Sequence, residues 1–127
     1  MKVLKCILIG FLVLILIGVG GIAYLSRDLS EADQLVINNV DITDMADGIY
    51  YGEYESGRFS NEVEVIIENK RIQNVNWIKD VTFKRSDVTK ELTQKILEEQ
   101  SINIDGITGA TVTSNAYLKA IENALTK

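Results

Sequence analysis

The longest stretch without a charged side chain, Cys6 to Leu25, most constrains what this chain can fold into. A helix of this length, at about 1.5 Å rise per residue, spans about 30 Å, which matches the hydrocarbon thickness of a bilayer. A cleaved signal peptide is the competing interpretation. Its apolar region is usually shorter and ends in a small-x-small site, for which Gly18-Val19-Gly20 is only a weak candidate. We therefore predict an uncleaved transmembrane anchor over residues 1–25.

The charges that flank this run predict its orientation. Lys2 and Lys5 precede it, whereas Arg27 on the far side is soon followed by acidic side chains. Because basic residues are enriched on the cytoplasmic side of membrane helices, we expect the N-terminus in the cytoplasm. The prediction is a single-pass protein of the cell membrane, with the rest of the chain outside the cytoplasm.

The composition of the remaining chain excludes several functions. Residues 28–127 hold 10 basic and 18 acidic side chains, a net charge of −8, which argues against binding nucleic acid or lying on an anionic membrane. The chain has no histidine, and its one cysteine, Cys6, lies in the apolar run. An internal disulfide, a thiolate metal cluster and histidine-ligated haem are therefore excluded, and no metal site is predicted.

The part of the chain before residue 47 differs from the part after it. Residues 26–46 are polar and acidic with one short apolar patch, which predicts a stalk or linker. From Asp47 the pattern predicts strands, first at 49–54, with Gly52 as a bulge or a point of close approach. Residues 62–68 alternate, with Val63, Val65 and Ile67 on one face and acidic residues mostly on the other, and a turn then leads into a strand through residues 72–78.

Two helices are predicted after the strands. Ser86 or Asp87 is expected to cap a helix that runs to about Gln100. A second helix occupies the C-terminal end, where apolar residues recur at helical spacing at Tyr117, Leu118, Ile121, Ala124 and Leu125. The predicted fold is α+β, a small antiparallel sheet with two packed helices over residues 47–127, preceded by one transmembrane helix.

A glycine-containing segment, Asp105-Gly-Ile-Thr-Gly-Ala-Thr-Val-Thr-Ser114, leads directly into the second helix. The first amides of a helix have no partner within it, and the helix dipole favours negative charge there. A phosphate placed against residues 111–114 would therefore find donors. The alternative is that Thr113 or Ser114 simply caps the helix and the glycines serve turn geometry.

This segment resembles the flavinylation motif of the FMN-binding domain family, an Asp, two residues, Ser or Thr, and then Gly-Ala-Thr. Residues 47–55 resemble the opening of the same domain, and the similarity extends over residues 47–125. The family includes the covalent-FMN subunits of sodium-pumping NADH:quinone reductase and of Rnf-type complexes. The resemblance implies that Thr111, the last threonine of the motif, carries FMN through a phosphoester bond.

The resemblance also implies a partner, a magnesium-dependent flavin transferase that takes FAD, leaves FMN on the threonine and releases AMP. Asp105, Gly109 and Ala110 would be recognised as part of the acceptor, and Thr108, Thr113 and Ser114 complete the predicted cofactor-binding residues. A threonine hydroxyl is a weak nucleophile that needs a base, and the chain offers no histidine, so we predict modification in trans and no catalytic residue. Without a transferase, the ordinary role of Asp105 is to brace the turn through backbone hydrogen bonds.

The expected function is that of a membrane-anchored flavoprotein that shuttles electrons between redox partner proteins and is not itself an enzyme. Tyr50, Tyr51, Tyr54 and Trp77 are candidates for stacking on the flavin ring, although each has an ordinary place in a sheet as the alternative. Two other functions remain open, a sensor or store that holds FMN noncovalently and an anchored interaction domain without flavin.

Overall fold

The computed structural model describes residues 1–126, with the side chains of all of them except residues 28–33. Three α-helices and a three-stranded antiparallel sheet confirm the predicted α+β fold. The elements are α1 (Lys2–Asp33), β1 (Gly48–Tyr54), a short 3-10 helix (Gly57–Phe59), β2 (Asn61–Glu68), β3 (Arg71–Lys79), α2 (Ser86–Glu99) and α3 (Thr111–Leu125).

Helix α1 contains the apolar segment found in the sequence. Its part from Lys2 to Arg27 is long and apolar enough to cross a bilayer, and none of that part is buried inside the protein. Leu14 and Ile17, for example, are 68% and 66% exposed. The helix is therefore compatible with a single membrane span.

The sheet has the order β1-β2-β3, with β2 in the centre. The alternation predicted for β2 is confirmed, because Val63, Val65 and Ile67 are fully buried while Glu64 and Ile66, which lie between them, are partly exposed. Asn69 and Lys70 connect β2 to β3 with φ angles of 53° and 62°. Positive φ at both residues of a two-residue loop is the geometry that fits the twist of an antiparallel hairpin.

Side-chain amides bind backbone groups of both outer strands. The amide of Gln100 accepts a hydrogen bond from the Ile72 N–H at 2.7 Å and donates to the Ile72 carbonyl at 3.1 Å. On the opposite strand, Asn123 Nδ2 donates to the Glu53 carbonyl at 2.8 Å. These bonds tie α2 and α3 to the sheet and satisfy polar groups of the kind that edge strands leave unpaired.

Helix α3 packs directly on β1 at Gly52. A Cβ atom at position 52 would lie 2.2 Å from the Ala120 carbonyl oxygen and 2.6 Å from the Ala124 Cβ atom. Only a hydrogen atom fits between the two backbones, which confirms that Gly52 is a point of close approach. No bulge occurs there, since Gly52 pairs in register with Val63.

Helix α2 buries the predicted apolar stripe, but its N-terminus differs from the expectation. Val88, Leu92 and Ile96 are fully buried. The predicted cap at Ser86 or Asp87 is wrong, because the helix begins at Ser86, its N-cap is Arg85 and no side chain caps it. The Asp87 carboxylate instead forms a 2.7 Å ion pair with Arg85.

Residues 34–46, hereafter the strap, pack against the domain that follows. Ile42 is 6% exposed, and four further apolar residues of the strap are half-buried against the core: Leu35, Ile37, Val40 and Met45. The Glu122 carboxylate of α3 accepts hydrogen bonds from the Asn38 backbone N–H at 3.0 Å and from Asn38 Nδ2 at 3.1 Å. The boundary between linker and domain that we placed at residues 46 and 47 stays a prediction.

Lys119 completes the attachment of the strap. Its Nζ atom donates to the Val36 carbonyl at 3.3 Å and lies 3.1 Å from Glu122 Oε1. Burial raises the pKa of Glu122, but the hydrogen bonds from Asn38 and Lys119 outweigh it and hold that pKa below its usual value.

Replacing Gly52 by alanine is expected to destabilise the domain by at least about 3 kcal/mol, because the added methyl group meets backbone atoms that cannot move independently. Urea titration of the purified protein measures this change in the free energy of unfolding. Gly48→Ala is the matched control on the same strand, since its Cβ atom would meet nothing closer than 3.9 Å. Equal effects of the two substitutions would contradict the close packing.

Glu122→Gln is expected to lower the free energy of unfolding at pH 7 by roughly 1–3 kcal/mol, because the charged acceptor of the strap is lost. The folded-state pKa is lowered, so the contribution of Glu122 is complete above its usual pKa of 4.5 and disappears as the pH falls through the folded value. The wild type and the variant should therefore converge in stability at low pH. Urea titrations across pH 3–7 test this, with the exposed Glu91→Gln on α2 as the control, and a pH-independent difference would contradict it.

Candidate functional site

The glycine-containing segment forms the connection between α2 and α3. Thr111, its last threonine, is the first residue of α3 and is exposed to solvent. Ala110 is the N-cap, and no side chain caps the helix. The alternative in which Thr113 or Ser114 caps the helix is therefore wrong, since both residues already lie within it.

A tight turn over residues 107–110 delivers the chain to the helix. The Ala110 N–H donates to the Ile107 carbonyl at 2.9 Å, which closes the turn. Gly109, its third residue, has a φ of +81° and no atom within 4 Å of the position where a Cβ atom would stand. A glycine is favoured here by backbone conformation and not by lack of space.

The start of α3 presents backbone donors beside Thr111. The amides of Thr111, Val112 and Thr113 have no acceptor within the helix because they belong to its first turn. The Ser114 amide, which we expected to be free, donates instead to the Ala110 carbonyl at 2.9 Å. Free donors combined with the helix dipole make this end of α3 suitable for an anion.

Ser114 lies underneath the turn, with both sides of its hydroxyl in use. Its Oγ atom accepts a hydrogen bond from the Ile107 N–H at 3.0 Å and donates one to the Ala110 carbonyl at 2.7 Å. The residue is fully buried. Its hydroxyl has one proton, which is already donated, so Ser114 connects the two ends of the turn.

Asp105, in contrast, is exposed, and its carboxylate makes no hydrogen bond among the residues that the structure describes. The bracing that we expected from Asp105 is therefore carried out by Ser114. A signal for this exists in the sequence, because Ser114 precedes Tyr117, Leu118 and Ile121 at helical spacing and so belongs to the buried face of α3.

The other predicted site residues surround Thr111 with little bulk. Thr108 and Gly109 are exposed, Thr113 is half-buried and Ala110 is 8% exposed. Behind the threonine, a Cβ atom on Gly106 would lie 3.3 Å from the Thr111 Cα atom and 3.3 Å from Ser114 Cβ. The loop thus folds back onto the first turn of α3 and leaves the outer side of Thr111 open.

Below the site, Tyr117 links α3 to the chain that follows β3. Its hydroxyl donates to the Asp80 carboxylate, and its ring lies 4.6 Å from that of Trp77, centroid to centroid. Burial, with a smaller contribution from Asp80, raises the pKa of Tyr117, so the phenol stays neutral. No sequence signal marks Asp80, because a lone carboxylate after a strand has no periodic pattern.

The four aromatic candidates for flavin stacking are distributed over the sheet. Trp77 donates from Nε1 to Thr93 Oγ1 at 3.1 Å, and the Tyr50 hydroxyl donates to the Ala46 carbonyl at 2.6 Å. Tyr54 is 9% exposed, whereas Tyr51 is 55% exposed. These places agree with ordinary sheet positions, and contact of any of the four with a flavin stays a prediction.

Gly109→Ala is expected to destabilise the protein by about 1–2 kcal/mol, because an L side chain is disfavoured at positive φ although space is available. Gly109→Asn should be less harmful, since asparagine tolerates the left-handed region better. Urea titration of both variants tests the turn. A larger loss for asparagine than for alanine would show that steric bulk, and not backbone conformation, selects glycine.

Comparison with known proteins shows the family of this chain. No curated protein matches the chain. The family model of the FMN-binding domain matches residues 31–126, which includes the strap, the sheet, both following helices and the turn before Thr111. Because the match covers most of the chain, this protein belongs to the FMN-binding domain family and is a flavin-binding protein.

Proposed function

We propose that this protein is a membrane-anchored flavoprotein that carries FMN covalently on Thr111 and transfers electrons between redox partners. The observation that carries the proposal is the placement of Thr111. This residue is exposed at the first position of α3, where three amides have no acceptor in the helix. The family match independently supports FMN as the cofactor.

The residues around Thr111 fit a phosphate group attached to its side chain. The amides of Thr111, Val112 and Thr113 can donate to phosphate oxygens, and the positive end of the helix dipole favours their charge. Gly109 and Ala110 place no large side chain over the threonine. Bound FMN would supply a redox centre that takes up and gives back electrons at this exposed end of the domain.

Attachment is proposed to occur in trans, with FAD as the donor. The Thr111 hydroxyl forms the new phosphoester bond to the FMN half of FAD, the pyrophosphate bond breaks and AMP leaves. The hydroxyl proton must pass to a base, yet the chain has no histidine, and the Thr111 hydroxyl has no hydrogen-bond partner in the described part of the chain. We therefore assign the base, and the magnesium ion that the donor requires, to a flavin transferase.

The proposed location explains why a covalent bond is useful. Lys2 and Lys5, which precede the apolar run of α1, favour a cytoplasmic N-terminus, and with a single span the domain then lies outside the cytoplasm. A flavin that dissociates there is diluted, whereas a phosphoester keeps it at high effective concentration on the protein. Such a protein acts as a carrier, and its electron donor and acceptor are redox proteins at the same membrane.

Thr111→Ala is expected to abolish flavin attachment when the full chain is co-produced with a flavin transferase, because the acceptor oxygen is removed. The measurement is flavin fluorescence of the polypeptide on a denaturing gel, supported by its intact mass. Thr113→Ala is the matched control, since it removes a threonine hydroxyl two residues away in the same helical turn. It should retain the wild-type adduct.

The alternatives give different results in the same experiment. Flavin that copurifies with the native wild type but is released on denaturation would indicate a noncovalent sensor or store. A colourless wild type with no increase in mass would indicate an interaction domain without flavin. An adduct that persists in Thr111→Ala would contradict the site, with Thr108 and Thr113 as the remaining threonines of the motif.

A further inference from the structure

We propose that Ser114 is a positioning residue for flavinylation, which presents Thr111 to the transferase by holding the turn at residues 107–110 in one conformation. The inference rests on the proposed function, because it concerns how the acceptor threonine is offered. It assigns Ser114 to the backbone of the turn and not to the phosphate of FMN.

The Ser114 hydroxyl connects the two ends of the turn. Ser114 Oγ accepts from the Ile107 N–H at 3.0 Å and donates to the Ala110 carbonyl at 2.7 Å, so one atom bonds the first and last residues of the turn. The Ala110 carbonyl also accepts the Ser114 amide at 2.9 Å. With its proton donated to Ala110, the hydroxyl has none left for a phosphate oxygen.

The hydroxyl and both groups that it bonds belong to buried residues. Ser114 is fully buried, and Ile107 and Ala110 are only 6% and 8% exposed. Water is therefore poorly placed to replace the hydroxyl, and its removal leaves the Ile107 N–H without a partner. The turn would then exchange its present conformation for others in which that amide reaches solvent.

The turn is connected directly to the acceptor threonine. Ala110 precedes Thr111 in the chain, and the backbone at Gly106 lies against both Thr111 and Ser114, where a Cβ atom would come within 3.3 Å of each. A turn with several conformations therefore presents Thr111 in several orientations. Transfer to the hydroxyl requires one orientation, so a mobile acceptor reacts more slowly even where it still binds the transferase.

The experiment compares rates of flavin transfer to the purified full-length protein in detergent, with purified transferase, FAD and Mg²⁺, well below the melting temperature. Ser114→Ala is expected to lower kcat/KM by about tenfold or more, mostly through kcat, because one buried backbone donor loses its partner. Hydrogen exchange of the Ile107 amide should accelerate in the same variant.

Thr126→Val is the matched control. Thr126 Oγ1 donates to the Glu122 carbonyl at 2.8 Å, the same bond to the fourth residue before it, but at the opposite end of α3. This variant should transfer flavin within about twofold of the wild-type rate and leave exchange at Ile107 unchanged. If Ser114→Ala only lowered the stability of the protein, its rate of flavin transfer per folded molecule would equal that of Thr126→Val.

Ser114→Cys provides a second variant of similar size, and it decides the question if the alanine variant does not fold. The cysteine thiol is a weak donor and acceptor, so the rate of flavin transfer to Ser114→Cys should lie between those of the wild type and of Ser114→Ala. Rates for the folded Ser114 variants equal to that of Thr126→Val would overturn the inference. A wild type that accepts no flavin at all would contradict the proposed function itself, which distinguishes the two failures.

Discussion

The direct contact of the α3 backbone with β1 at Gly52 is the constraint on which the rest of the domain depends. The contact leaves no room for a side chain, so the position of the helix on the sheet is fixed by backbone atoms. The same helix carries Thr111 at its first residue, Tyr117 in the core and Glu122 in contact with the strap. The position of the site is therefore fixed by close packing about three turns away along α3.

The strap connects this arrangement to the apolar part of α1. Arg27 ends the part of α1 that can span a bilayer, and Asn38, eleven residues further along, is bonded to Glu122 of α3. A chain of that length reaches at most about 40 Å when fully extended. If α1 is the anchor that we propose, the FMN-binding domain stays close to the membrane surface, where we also propose its redox partners.

The sequence predicted the parts of the fold that depend on periodic patterns. The alternation in β2 and the apolar stripe of α2 both occur as expected, because burial of one face is a property that spacing alone encodes. The side-chain caps considered for α2 and α3 are absent. Polar residues near a helix start suggest caps, but at Arg85 and Ala110 backbone geometry sets the boundary without a capping side chain.

Two residues of the motif have roles in the structure that their residue types did not predict. Asp105 was expected to brace the turn, and Ser114 was expected beside the cofactor, as their residue types suggest. In the structure Asp105 is exposed, whereas Ser114 is buried with its hydroxyl bonded to Ile107 and Ala110. Which polar group meets the backbone depends on the left-handed conformation at Gly109 and on the buried face of α3, and neither follows from the motif alone.

Tandem mass spectrometry of the wild-type protein, isolated with a flavin transferase, tests the central claim most directly. Cleavage after Lys95 and Lys119 releases residues 96–119, a peptide that contains every predicted cofactor-binding residue. The account predicts that this peptide carries one FMN group through a phosphoester and that fragmentation places it on Thr111. An unmodified peptide, or a flavin located on Thr108, Thr113 or Ser114, would contradict it.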